Sequence, residues 1–465
     1  MSHRNPLKNM LREAAVKPGR KRPLRRLAAG VGLCLAGVAL AGAVLILLFG
    51  GAILNGYGKN KAERAFAKAH PGYALQIGRL DYAIGANRLI AQSVTLRATN
   101  ATLKIDRVEL TGVRWARLFW GAAAPAEVLA NASLDATNLD WRFPQAQYEI
   151  RCARLRASVP GSELIADGTE LRPLVADGAF FAAHEFRTTR FHVIAPECRV
   201  LGLAYDELFQ GKSYRARSVH FSSPSFDALV NRDKPLKPFV KSPLMVHEAL
   251  ATIRQPLRVD RLSITHGSLT YGEQLVAGAD PGVLTFGAVG MFVQGLANRG
   301  DAAAVIRLRA QGDFMNAGLL KVLMTIPVNS PDFSLQYSGS LSAMDLTRLD
   351  AFLDVAEHTR IKSGSAEAAA FEIEVVADQA RGRVRAIYRD LEIAGLNKRT
   401  GTETGLDNRV VSFLANMLKV RTANGPGAAG AMKEGKVNYT RRPEDEFVEV
   451  VWAALWSGIV DLSIH

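Results

Sequence analysis

Beyond about residue 73 the chain is organised by alternation of apolar and polar positions. TLKIDRVELTGV (102–113) sets Leu103 and Ile105 on one face of an extended strand, with Lys104 and Asp106 on the other. LRVDRLSITHGSLTYGE (257–273) continues with Val259, then Leu262 and Ile264, then Leu269 and Tyr271. AAVIRLRAQGDF (303–314) opposes Ile306 and Leu308 to Arg307 and Arg309. DFSLQYSGSLSAMDL (332–346) and AFEIEVVADQARGRVRAIYRDLEI (370–393) repeat the style, the latter with Phe371, Ile373 and Val375 in phase. Gly, Asn, Asp or Pro breaks this pattern every 10 to 15 residues, which predicts an antiparallel meander of roughly two dozen strands. Helical patterns are short: Lys59–Ala69, Arg114–Trp120, Tyr205–Phe209, Asn316–Leu323 and Leu346–Val355. So few helices cannot cover the apolar face of so many strands. The sheet must close on itself, or curl into a groove covered by something else.

The first 72 residues follow a different rule. Leu27 to Leu54 carries no charge and is long enough to cross a bilayer as a helix. Before it, nine basic residues from Arg4 to Arg26 stand against the lone Glu13, which places the N-terminus in the cytoplasm by the positive-inside rule. The expected organisation is a basic cytoplasmic tail (1–26), a transmembrane signal-anchor (27–54) and a short helical juxtamembrane segment (55–72). An exported β domain (73–404) and a C-terminal module (405–465) follow. A net charge of +14 and a pI near 9.8 would otherwise suggest nucleic acid, but about +8 of that charge lies in the tail, so no nucleic-acid partner is expected.

Candidate chemistry is sparse. HExxH, CxxC, P-loop, GxSxG and dinucleotide-binding glycine patterns are absent, and the nine histidines lack ligand spacing. His184-Glu185 and His247-Glu248 each lack a second histidine. Asp378, Asp390 and Glu392 alternate with arginines on strands, which favours cross-strand ion pairs over acid–base work. No catalytic residue, metal or cofactor is expected. Cys152 and Cys198 would be free to pair in an oxidising compartment, and two unpaired thiols fit the sequence equally well. Near the end, Glu444, Asp445 and Glu446 precede an apolar helix bearing Trp452, Leu455 and Trp456. That helix suits a cap on the sheet, or a dock onto a membrane interface or a partner protein.

This layout of basic tail, signal-anchor and long run of strands resembles the AsmA-like envelope proteins of Gram-negative bacteria, a group related to TamB. The phrase VDRLSITHGSLTYGE (259–273) looks like a strand pair of that family. The terminal block, GRVRAIYRDLEIAGL (382–396), VVSFLANMLKVRTANGP (410–426) and GKVNYTRRPEDEFVEVVWAALWSGIVDL (435–462), is similar to the terminal module of its shorter members. The resemblance implies a mainly β fold: an elongated, curled antiparallel sheet forming a periplasmic groove, with a few short helices and C-terminal capping helices. It also implies phospholipid as cargo, inner-membrane anchoring, and an outer-membrane or periplasmic protein partner. Groove-lining candidates are then the alternating apolars Leu103, Ile105, Val259, Leu262, Ile264, Leu269, Ile306, Leu308, Phe371, Ile373 and Val375. The competing expectation is a non-catalytic envelope scaffold whose inward positions are filled tightly by large side chains.

Overall fold

In the computed structural model the alternating segments become long strands whose apolar residues share one face. The structure describes residues 63–64, 66–68, 72–115, 117, 125–236, 244–301, 303–396, 421–426 and 432–463. The tail and the anchor expected at 27–54 lie outside these residues, as do most of the juxtamembrane helix and of the LAN segment. Among the described residues no helix is long and apolar enough to cross a membrane.

The first half of the sheet comprises β1 (Tyr73–Ala83), β2 (Arg88–Ala98), β3 (Ala101–Thr111), β4 (Ser133–Phe143), β5 (Tyr148–Ser158), β6 (Glu163–Pro173) and β7 (Thr189–Leu201). Then come β8 (Tyr214–Ser222), β9 (Ser225–Asn231), β10 (Leu257–Gln274), β11 (Gly282–Ala297), β12 (Val305–Phe314) and β13 (Gly318–Pro327). The last are β14 (Leu335–Leu341), β15 (Met344–Asp345), β16 (Thr359–Val376), β17 (Gln379–Gly395) and β18 (Gly435–Thr440). All 18 belong to one curled, groove-like sheet, fewer strands than the sequence pattern predicts because several alternating runs form single long strands.

Neighbours in sequence pair antiparallel almost throughout, but the sheet is mixed at its middle. β8 and β9 lie end to end; both pair antiparallel with β7 and parallel with β10. A parallel pair needs a crossover, and residues 232–256 provide it. Met245, fully buried, anchors that crossover in the core.

The helices are short: α1 (Pro125–Leu129), α2 (Asp177–Ala182), α3 (Tyr205–Phe209), α4 (Val246–Ala251), α5 (Asp350–Ala356) and the terminal α6 (Phe447–Ser463). Tyr205–Phe209 and the Leu346–Val355 region are helical as the pattern predicts. Asn316–Leu323 is not. Met315 and Asn316 both adopt φ 52, a tight hairpin turn, and the apolar run after them pairs with β12. The segment 259–273, expected as two strands, is one strand bent at His266 (φ 53) and Gly267. Of the 410–426 block only residues 421–426 are described, bridged to β17 through Tyr388 and Asn424, so the capping helix expected ahead of them lies outside the described residues.

One feature of the first half breaks simple alternation. Buried positions run Leu89, Ala91, then Val94 on β2; Leu103, Ile105, then Val108 and Leu110 on β3; Ala136, then Leu139 on β4. The spacing is two, three, two. At the three-residue step Ser93, Asn138 and Gly168 take positive φ on β2, β4 and β6, opposite Asp106 and Ala153 on β3 and β5. A left-handed residue within a strand reverses which face the next side chain takes. Stacked at one level, these residues crease the sheet while keeping its apolar residues inward.

Two large clusters and one small one fill the inner face. The first spans β1–β10 with Val128 and Leu129 of α1, and the second spans β10–β18 with residues of α5 and α6. Phe180 and Phe181 of α2 build the small cluster against Tyr148 and Leu171.

Candidate functional site: the apolar inner face

Cross-strand partners share a face, so the register traces rows along the length of the sheet. One row starts at Leu80 on β1 and passes through Ala91, Val108, Ala136, Leu155, Ala166 and Cys198 to Phe221. It continues through Ile264, Met291, Ala310, Val322, Gly339, Phe371 and Val384 to Gly435 on β18. The adjoining row runs from Tyr82 and Leu89 through Leu164, Val200, Val219, Leu262, Val293, Leu308, Met324, Tyr337 and Ile373 to Val437. Neither row contains a charged residue. Two uncharged rows therefore run the whole length of the sheet.

Exposure along the first row divides it into three parts. From Ala91 to Cys198 every position is buried, and so are Val384 and Gly435 at the far end. Between them, Phe221, Ile264, Met291, Ala310, Val322, Gly339 and Phe371 are all half-buried. The middle of this row is thus less covered than the stretches from Ala91 to Cys198 and from Val384 to Gly435, while Val293, Tyr337 and Ile373 beside it stay buried. In that middle the Phe371 ring lies over Gly339, whose missing side chain makes room: a Cβ there would come within 2.4 Å of the ring. Tyr337 meets Phe371 edge to face at 6.0 Å, and its hydroxyl donates to the Val451 carbonyl of α6 at 2.9 Å.

All eleven lining candidates sit on strands, in different settings. Leu103, Ile105, Val259, Ile306, Ile373 and Val375 are buried in the packed clusters. Leu262, Ile264, Leu269, Leu308 and Phe371 are half-buried and border the less covered middle. The strand-level alternation did not single out Phe221, Met291, Val322 and Tyr337. Met291 and its neighbours lie in FGAVGMFVQG (286–295), where glycine interrupts the two-residue period.

α6 caps the far end. Val450, Ala454, Gly458 and Leu462 form its buried face, and Asp445 at its start accepts hydrogen bonds from the Tyr439 hydroxyl (2.6 Å) and the Arg442 amide (2.7 Å). Of the docking candidates, Leu455 and Trp456 pack partly against the core, while Trp452 stacks on Trp456 at 5.8 Å. All three are half-buried.

A buried polar cluster ties α6 to the middle of the sheet. Arg232, just past β9, contacts Glu273 of β10 at 2.7 Å and Glu449 of α6 at 3.4 Å. The Tyr271 hydroxyl donates to the same Glu273 carboxylate at 2.7 Å. Burial pushes the Glu273 pKa up, opposed by the Arg232 charge. Glu357 nearby is also raised, by burial and then by the charge of Glu273. Sequence reading missed this cluster because its members lie up to 217 residues apart.

The remaining candidates take structural places. His247 is buried and stacked against Phe333. His184 donates from Nδ1 to the Phe180 carbonyl at 2.7 Å, within one helical turn. Glu392 pairs with Lys362, Arg389 with Glu367, and Asp378 with Arg441. Cys152 and Cys198 are both free and buried. β6 separates their strands, so about two strand spacings, near 9.6 Å, lie between the backbones, beyond disulfide reach. Burial drives the Cys198 thiol up to about 12. Among the described residues no group of three or more His, Cys, Asp or Glu could hold a metal ion.

No protein-family model matches the chain, and no curated protein matches it.

Proposed function

We propose that this is an AsmA-like envelope protein, anchored in the inner membrane by residues 27–54 with its N-terminus in the cytoplasm. Its exported sheet then handles phospholipid between the inner and outer membranes. One observation carries this reading: the uncharged row from Leu80 to Gly435, half-buried between Phe221 and Phe371. Acyl chains fit such a lining, because each buried methylene contributes about 0.8 kcal/mol and needs no polar partner. Head groups would stay in water at the trough mouth. The work is transfer or sheltering rather than covalent chemistry, so the reading assigns no catalytic residue and no cofactor.

A second reading has its own observation. The inner face is packed at both ends, with Leu103, Ile105, Ile373 and Val375 all 4% exposed or less, as a scaffold for outer-membrane assembly factors would be. Photo-crosslinking in cells separates the two. A benzophenone amino acid at Met291 or Val322 should yield phospholipid adducts by mass spectrometry, and one at the outward Lys104 should not. Adducts with proteins alone, at every inner position, would favour the scaffold.

A further inference from the structure

The outer face of the sheet treats its arginines unevenly. Over β4–β6 they stand beside carboxylates: Arg142 on Asp140 at 2.9 Å, Arg154 on Asp135 at 2.5 Å, Arg156 on Asp167 at 2.7 Å. The Asp135 carboxyl is held below its usual range chiefly by the hydrogen bond from Arg154. Over β10–β13 the pattern changes. Arg261 and Arg307 flank Gln294 in one row, and Arg309 stands between Phe292 and Leu323 in the next. Lys321 pairs with Gln311 in the third. Among the described residues these four exposed cations make no ion pair or hydrogen bond, and none has a carboxylate as a direct cross-strand neighbour. Of the acids on these strands, Asp313 lies in the row beyond Lys321 and Asp260 holds Arg258 at 2.9 Å.

Like charges gathered on one face without carboxylate partners give that face a positive field that attracts anions. The patch is also apolar at its centre: Leu323 is 53% exposed, and the half-buried Phe292 lies in the same row as Arg309. Cations around exposed apolar side chains on a broad sheet face match a bilayer surface, where the charges meet lipid phosphates and the apolar groups enter the interface. An acidic protein would satisfy the cations but leave Leu323 without a purpose. We infer that the outer face of β10–β13, through Arg261, Arg307, Arg309, Lys321 and Leu323, docks on an anionic phospholipid surface. This does not rest on the trough reading, since no inner-face residue takes part.

The test uses the full chain held in phosphatidylcholine nanodiscs and offered labelled vesicles. Vesicles of phosphatidylcholine with added phosphatidylglycerol should be captured, and pure phosphatidylcholine vesicles should not. The double variant R307Q/R309Q should lower capture by about tenfold or more, and L323S should lower it further at the same charge. R154Q, which alters an outer arginine already beside a carboxylate, should leave capture unchanged. Added salt should weaken wild-type capture, which guards against a folding effect of the variants. Undiminished capture by R307Q/R309Q would overturn the inference, as would equal capture of neutral vesicles. Binding of polyglutamate without binding of vesicles would overturn it in favour of an acidic protein.

Discussion

A Cβ on Gly435 would lie 1.9 Å from the carbonyl oxygen of Gly458, so β18 and α6 meet backbone to backbone. Both glycines sit where the apolar row ends, and a Cβ on Gly458 would also press within 2.6 Å of Val384. The last helix is therefore seated on the sheet by the absence of two side chains. Gly435→Ala should cost about 3 kcal/mol, because the clash is with backbone that cannot rotate away. The midpoint of chemical unfolding checks this; a variant as stable as the wild type would mean that α6 is not held there.

Arg232 is the cation shared by Glu273 and Glu449, 2.7 and 3.4 Å away. Arg232→Met leaves two acids facing each other in a half-buried site. Breaking a buried pair from one side costs about 3 to 5 kcal/mol, and partial solvent access here places the expected loss at the lower end. Glu273→Gln in the same background should restore part of it. Absence of any restoration would show that Arg232 acts through packing alone.

The raised pKa values of Glu273 and Glu357 give a pH dependence with a definite sign. Their ordinary value is 4.5, and burial lifts both in the fold. Each binds more protons folded than unfolded once the pH exceeds 4.5, so their contribution to stability is full below that pH. It is lost as the pH rises through the folded-state pKa. Glu357→Gln should therefore raise the thermal midpoint at neutral pH relative to the wild type and change it little at pH below 4.5. Thermal scans across that range measure it, and the opposite ordering would contradict the assignment.

The crease predicts a contrast between β4 and β6, the strands on either side of β5. Gly168 has φ 60 and a Cβ there would meet the Ala153 side chain at 2.9 Å, while Asn138 holds φ 53 with its side chain on Asp106. Gly168→Val should destabilise by about 2 kcal/mol, since a β-branched residue is strained at positive φ. Asn138→Gly should be nearly neutral. Equal effects would mean that the crease is not set by backbone conformation.

The sequence made the strands legible because one face is buried and the other wet: Leu103 and Ile105 against Lys104 needs no further information. The crease was hidden by the same habit. Two, three, two spacing reads as noise until the register stacks Ser93, Asn138 and Gly168 at one level. The parallel junction at β10 was not legible either, since the bend at Ser223 and Pro224 that divides β8 from β9 has the composition of an ordinary turn. Six of the eleven lining candidates are packed into the two large clusters, and strand alternation carries no information about what packs over a face.

That division decides which substitution tests the trough. Ile105 is 4% exposed, so Ile105→Asp buries an unpaired charge and should unfold the protein. Met291 is half-buried in the less covered middle, so Met291→Asp should keep the fold and lose the apolar surface.

The most direct measurement is lipid extraction and mass spectrometry on residues 56–465 purified from the periplasm without detergent, wild type beside Met291→Asp. A carrier trough should hold stoichiometric phospholipid in the wild type and little in the folded variant. A compact, cooperatively folding wild type that carries no lipid would contradict it and leave the scaffold reading in its place.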